Sequence, residues 1–267
     1  DEAARLARNF NRMAEALEQL EAERRAMIAD IAHELRTPLT VMQGRLEAIQ
    51  DGVMPLEMGE IDRLHHQAAL LSRLVEDLRT LSLADAGRLN LTLQPMNLVE
   101  LVGRMAATFR AALKARQVEL ELKLPGRAIP IQADPDRLAQ VIGNLLSNAL
   151  EHTPAGGKIA LEVTSDTTQA YLRVQDSGPG IPAEALNKVF DRFYRAEASR
   201  SRATGGSGLG LSIVKTLVEL HRGTVGAHSR PEGGAGFGGE LPREQAGCTR
   251  NHRSGWRCGG LRVVNNK

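Results

Sequence analysis

Cysteine is almost missing from this chain. Cys248 and Cys258 are the whole complement in 267 residues, and both lie near the C-terminus. Two thiols so placed cannot form a disulfide framework for the fold, and the scarcity fits a reducing compartment. A charge of one sign is missing too: 34 Lys and Arg stand against 32 Asp and Glu, for a formal net charge of +2. That balance gives no push toward nucleic acid or an anionic membrane surface. No apolar run approaches the ~18 to 20 residues a membrane span needs, and no signal-peptide pattern opens the chain. Internal repeats are absent. There is no initiator methionine either; the chain starts at Asp1 inside a helical pattern, and we read it as a segment of something longer.

What is present is ordinary for a globular protein, with 42% apolar and 25% charged residues. The length leaves room for roughly two domains, each with its own core. The first third is helical. Leu6, Phe10, Met13, Leu17, Leu20, Met27 and Ile31 fall at alternating spacings of four and three, with Arg24 interrupting one position. This is a coiled-coil seam. With Phe10, Leu17, Arg24 and Ile31 at position a, His33 falls at position c, on the solvent face.

The stretch "IAHELRTPLT" (31–40) sets His33 and Glu34 beside Thr37 and Pro38. Pro38 removes one backbone donor and crowds the preceding turn, so a kink near Thr37 is expected. The helix resumes with Leu39, Met42, Leu46 and Ile49 before Asp51-Gly52 turns the chain. A second amphipathic helix carries Ile61, Leu64, Ala68, Leu71, Val75 and Leu78. One hairpin cannot bury two apolar stripes by itself; a four-helix bundle made by dimerising two hairpins is the economical arrangement.

Periodicity stops near Asp85 to Pro95, where a linker is predicted. Asn97 then caps a helix. "VELELKL" (118–124) alternates as a strand, and Pro135 to Leu150 reads as a helix with Leu138, Val141, Ile142, Leu145 and Leu146 inward. "KIALEVT" and "AYLRVQD" read as a hairpin, "AEALNKVFDRFYR" (183–195) as a helix, "GLGLSIVKTLVELH" as another, and "TVGAHS" as a final strand. The fold class is therefore α plus α/β: a helical-hairpin dimerisation domain followed by an α/β sandwich. From about Gly238 to Lys267 neither period is found, and disorder is expected.

Four clusters in the second domain bear on chemistry. Asn144 and Asn148 lie one helical turn apart; two amides on one face can offer oxygens to a hard cation carrying phosphates, or be plain surface residues. "DSGPG" (176–180) follows a strand. There Asp176 can accept from an exocyclic amine while Gly178 and Gly180 let the backbone approach a flat ring; a simple turn would look the same. "GGSGLGLS" (205–212) opens a helix, and Gly206, Gly208 and Gly210 free backbone amides for anionic oxygens. It is not a Walker loop, since no lysine follows at the required place. "FDRFYRAEASRSRATGG" joins paired aromatics to Arg195, Arg200 and Arg202, which suits closure over phosphates or a solvated loop.

The order of these clusters is what identifies them. The chain resembles the transmitter region of membrane-bound sensor histidine kinases of bacterial two-component systems. "HELRTPL" resembles the H box, "NLLSNALEHT" the N box, "DSGPG" the G1 box, "FDRFYR" the F box and "GGSGLGL" the G2 box. Residues 1–24 resemble the end of a HAMP linker, and "GRLEAIQDGV" (44–53) is reminiscent of the envelope-stress branch. The resemblance implies a dimerisation and phosphotransfer domain over 25–88 and an ATP-binding domain over 95–242; residues 243–267, which match nothing in the family, are expected from composition to be a disordered tail.

It further implies ATP and Mg2+ as cofactors. His33 would be the nucleophile, Glu34 its base, and Thr37 the group orienting water for the reverse dephosphorylation. Asn148 and Asn144 would hold magnesium, Asp176 would read adenine, and Gly206, Gly208, Gly210, Arg200 and Arg202 would meet the phosphates. The implied partners are a second copy of the chain and a cognate response regulator, with no nucleic acid. Membrane attachment would come through a missing upstream segment, making the chain the cytoplasmic portion of a bacterial inner-membrane protein. Two other readings share parts of the pattern: a stand-alone ATPase of the gyrase and chaperone type, and a kinase-dead nucleotide-binding scaffold. One departure supports the latter. Where many relatives carry Lys or Arg after the second asparagine, this chain has Glu151.

Overall fold

The computed structural model describes residues 2–195, 206–229, 233–243, 248–251 and 255–258. The chain divides into two compact units, Asp1–Arg79 and Thr80–Lys267.

The first unit is a helical hairpin of α1 (Glu2–Gln50) and α2 (Met58–Asp85), the latter ending inside the second unit. α1 passes through Pro38 as one continuous helix. The proline thus costs the Glu34 carbonyl its partner without ending the element. One turn is braced locally: the Thr37 hydroxyl donates to the His33 carbonyl at 3.2 Å. Near the hairpin loop the buried Glu60 accepts from Arg45 at 2.5 Å and also from Arg63, which joins the two helices. The apolar seam stays uncovered in a single chain. Phe10, Met13 and Leu17 are each about two-thirds exposed (64%, 65% and 65%). One hairpin therefore does leave a stripe unburied, as the periodicity requires.

The second unit is built on a mixed five-stranded sheet in the order β2-β4-β5-β7-β6. Its strands are β2 (Glu119–Lys123), β4 (Lys158–Ser165), β5 (Gln169–Asp176), β6 (Thr224–Ser229) and β7 (Ala235–Pro242). Only the β2–β4 pair among them is parallel. A separate ribbon pairs β1 (Gln94–Asn97) with β3 (Pro130–Ala133). Three helices supply the other layer: α3 (Leu98–Ala115), α4 (Pro135–His152) and α5 (Gly210–Leu220). The inward residues read from the α4 pattern, Leu138, Val141, Ile142, Leu145 and Leu146, are all at most 2% exposed. Leu138, Val141, Ile142 and Leu145 meet Leu172, Val214, Val218 and Leu241 around one apolar core. Each such side chain stabilises the fold by roughly 1.5–3 kcal/mol relative to exposure.

Both long helices start where polar caps dictate. The Asn97 side chain accepts from Val99 and from Ile129, each at 3.1 Å, so one amide oxygen caps α3 and fixes the approach to β3. Asp134 caps α4 through the amides of Asp136 and Arg137, and its second oxygen accepts from Thr92 at 2.9 Å. That last bond pins part of the predicted linker to the unit.

Three expectations are corrected. The segment 183–195 is not a helix: after a 3-10 turn at Ala183–Ala185 it runs through turns, and Phe193 adopts φ 59°. A left-handed residue ends helical propagation. "TVGAHS" is not the last strand, since β7 follows and lies between β5 and β6. Its glycines hide it from a periodicity search, yet Gly236 is required; a Cβ there would sit 2.3 Å from the His228 ring. In the stretch expected to be disordered, Cys248–Asn251 and Gly255–Cys258 pair as antiparallel β8 and β9.

Buried His221 ends α5, with Nδ1 2.7 Å from the Leu217 carbonyl and Nε2 accepting from the Asp134 amide at 3.0 Å. Those roles require a neutral ring with the proton on Nδ1. Burial pushes its pKa below the ordinary 6.5, against the raising effects of Leu217 and Asp134. A lowered histidine contributes stability that is whole above the unfolded value and is lost as pH falls through the folded one. Chemical denaturation should therefore show the second unit weakening as pH drops from 7 toward 5, by at most about 1.4 kcal/mol per pH unit from this group. His221→Gln should flatten that part of the profile; an unchanged slope would remove His221 as its source.

Candidate functional site

The residues singled out by sequence fall into two groups, one in each unit. His33, Glu34 and Thr37 lie on α1, with His33 and Thr37 exposed and Glu34 half-buried. The c-position assignment for His33 is consistent with this. Among the described residues no hydrogen bond joins Glu34 to His33; neighbours on a helix point about 100° apart.

In the second unit, four stretches converge around the C-terminal end of α4. Asp176 closes β5 and is 2% exposed. Its Oδ1 accepts from the amides of Gly178 at 2.8 Å and Ala235 at 3.1 Å. One carboxylate oxygen thus closes the turn after β5 and also anchors the start of β7. Among the described residues Oδ2 receives no hydrogen bond, which leaves it as an acceptor for a ligand N–H. The turn allows no side chains where it crosses its neighbours. A Cβ on Gly178 would lie 2.6 Å from the His152 carbonyl, and one on Gly234 would lie 2.0 Å from the Asp176 carbonyl.

α4 presents Asn144, Asn148 and Glu151 at spacings of four and three, one stripe of the helix. The Asn144 side-chain nitrogen donates to the Gly210 carbonyl at 3.2 Å. Glu151 Oε1 accepts from the Gly206 amide at 3.2 Å. The stripe therefore grips the glycine-rich loop at two points, just where α5 begins. The N-cap of α5 is Leu209, and it supplies no side-chain hydrogen bond. An uncapped N-terminus behind a glycine loop leaves amides for an anion. Gly208 sits at φ 69° and its carbonyl accepts from the Phe193 amide at 3.0 Å. That bond ties the aromatic segment to the glycine loop. Sequence reasoning missed it, because nothing in "FDRFYR" advertises a left-handed residue.

Arg192 makes a two-pronged ion pair with Asp85, at 2.7 and 2.6 Å, which holds the same aromatic segment against the end of α2. Asp85 raises the guanidinium's pKa further. Gly180 follows the Asp176 turn, and the adjacent Ile181 amide donates to Ser229 at 3.1 Å. Arg200 and Arg202 lie outside the described residues.

These donors and acceptors fit an adenine nucleotide: a buried carboxylate oxygen for an exocyclic amine, and amides at a helix start for phosphate. Among the described residues no group of three or more His, Cys, Asp and Glu could hold a metal. Asn148 and the Oδ1 of Asn144 can offer amide oxygens to a divalent cation, together with the phosphates it carries.

Comparison with known proteins agrees with both units. Residues 133–245 match the family described as histidine kinase-, DNA gyrase B-, and HSP90-like ATPase. Residues 23–87 match the His Kinase A (phospho-acceptor) domain. Signal transduction histidine-protein kinase BaeS of Escherichia coli K12 is 42% identical over 245 residues, covering 92% of this chain and 52% of that protein. The chain thus spans about half the length of this relative. Among solved structures, Acinetobacter baumannii histidine kinase AdeS is 31% identical with a TM-score of 0.67, over 79% of this chain and 98% of that one. Histidine kinase ThkA, solved in complex with the response regulator protein TrrA, is 26% identical with a TM-score of 0.65, over 82% and 61% of the two chains.

The double duty of Asp176 gives a test that needs no ligand. Asp176→Ala strands two amides, at about 1–3 kcal/mol each, so urea denaturation should show a loss of about 2 to 6 kcal/mol. Asp176→Asn keeps an acceptor oxygen and should lose less than about 1 kcal/mol. Equal losses would mean that the carboxylate does not organise the turn.

Proposed function

Because the chain belongs to the two-component sensor histidine kinases, we propose that it transfers the γ-phosphoryl group of ATP to His33 and then to an aspartate of a response regulator. The observation that carries this reading is the pairing of an exposed histidine on a helical hairpin with a separate nucleotide-type site in one chain. A stand-alone ATPase has no use for such a helix, and the fold of the second unit alone would not distinguish the two.

In this reading Asp176 Oδ2 accepts from the adenine amine, and the Gly206–Gly210 loop meets the phosphates with Arg200 and Arg202. Asn148 and Asn144 would hold magnesium, which would supply charge neutralisation on the phosphates. The hairpin supplies the acceptor. Phosphoryl transfer needs in-line positioning and charge neutralisation more than covalent assistance, so an unencumbered imidazole is the requirement, and His33's exposure meets it. Glu34 hydrogen-bonds the other imidazole N–H and makes the attacking nitrogen more electron-rich. Its side chain must swing back toward His33 to do so.

The exposed seam of α1 supports a homodimer through the hairpins, and ThkA's complex with TrrA supports a regulator as partner. Attachment to a membrane through a preceding segment, and a cytoplasmic location, belong to the same reading. Among the described residues no helix is long and apolar enough to cross a membrane.

With γ-labelled ATP, native chain should gain an acid-labile label. His33→Gln should gain none while binding nucleotide as before. Asp176→Asn should keep its fold yet bind ATP about ten- to a hundredfold more weakly, because its amide turns a donor toward the adenine amine. Label on the His33→Gln chain would move the acceptor to another residue and end this assignment.

Thr37 gives a separate test. Its hydroxyl donates to the His33 carbonyl and keeps lone pairs free, so it can hold a water beside a docked phospho-aspartate. Thr37→Ala should retain most phosphohistidine formation and lose most dephosphorylation of the regulator, with little change in helix stability. Equal loss of both rates would reduce Thr37 to a brace for the turn before Pro38.

A further inference from the structure

The Gly206 amide, the first described group of the glycine-rich loop, already has an anionic partner: the Glu151 carboxylate at 3.2 Å. The fit is close, since a Cβ on Gly206 would come within 2.9 Å of Glu151 Oε2. Glu151 is half-buried and lies on the same stripe of α4 as Asn144 and Asn148. An amide at the start of a loop that leads into an uncapped helix is the type of donor a phosphate oxygen takes. Here a carboxylate occupies it, with the same charge sign and the same acceptor chemistry as a phosphate.

We infer that Glu151 is an internal competitor for the phosphate chain, released from Gly206 when nucleotide binds. The inference rests on the nucleotide reading of the site given above. Two consequences follow from charge alone. Binding must break a charge-assisted hydrogen bond that the free protein makes. It must also bring anionic oxygens up to a carboxylate, and this cost rises with the negative charge of the ligand. The site is thereby biased against longer phosphate chains, and the bias falls on ATP more than on ADP or AMP. Magnesium, by neutralising the phosphates, relieves it. Glu151 is thus a specificity-determining residue for how many phosphates the site accepts, and a threshold on loading with ATP.

The test is titration calorimetry of native chain and Glu151→Gln with AMP, ADP and ATP, each with magnesium and with chelator. Glutamine keeps the size and an acceptor oxygen but removes the charge. Expected is a graded gain: AMP within about twofold of native, and ATP about tenfold tighter, most clearly in chelator. Glu151→Lys should tighten ATP further. Equal affinities for ATP would overturn the inference. So would weaker binding of Glu151→Gln confined to the magnesium arm, which would make Glu151 a ligand of the metal instead.

A nucleotide-free readout separates this from the reading beneath it. The Gly206 amide resonance and its hydrogen exchange should change in Glu151→Ala without ligand. An unmoved resonance overturns the inference even if nucleotide binds. If the resonance moves but neither native chain nor Glu151→Gln binds any adenine nucleotide, the nucleotide reading fails, and the competitor role fails with it.

Discussion

The second unit depends on one carboxylate oxygen. Asp176 Oδ1 accepts from Gly178 and from Ala235, and so joins the end of β5 to the start of β7, two strands that already pair along their length. Everything proposed for the nucleotide is arranged around that knot. The turn it closes leans on the His152 carbonyl at the end of α4. α4 in turn holds the glycine loop through Asn144 and Glu151. The loop fixes the aromatic segment through Gly208 and Phe193. Because Oδ1 is engaged by the fold, Oδ2 can serve a ligand without loosening the structure. In the proposed reading, structural and recognition roles are divided between two atoms of one side chain.

The parts of this that periodicity reports were legible beforehand. α1 and α2 are the expected helices, α4 buries the residues its spacing assigns, and Asn97 caps the helix it was expected to cap. β4 and β5 form the expected hairpin. The failures have physical causes. β7 is a strand with glycine at 236, 238 and 239, and such residues carry no alternation to detect. Gly236 is there because the His228 ring leaves no space for a side chain. The segment 183–195 has a helix-like composition but is pulled out of helix by a tertiary bond to Gly208, which only the fold reveals.

The site residues were named from a pattern of motifs, and the structure adds what each atom is doing. Asn144 was expected as a magnesium ligand; its nitrogen proves to brace α5, which leaves the oxygen alone for a cation. Glu151 was visible as a departure, but its partner was not. That partner is the Gly206 amide. Both readings require side-chain geometry, because two residues 55 positions apart cannot be paired from spacing.

The two units divide the chemistry: one is suited to hold a nucleotide and the other to offer a nucleophile. That division is the central claim, and it is tested most directly by locating the transferred group. Native chain incubated with magnesium and ATP, then digested at alkaline pH and sequenced by tandem mass spectrometry, should carry phosphate on the imidazole of His33 and on no other histidine. Phosphate on a histidine of the second unit, or on a serine or threonine hydroxyl, would contradict the account.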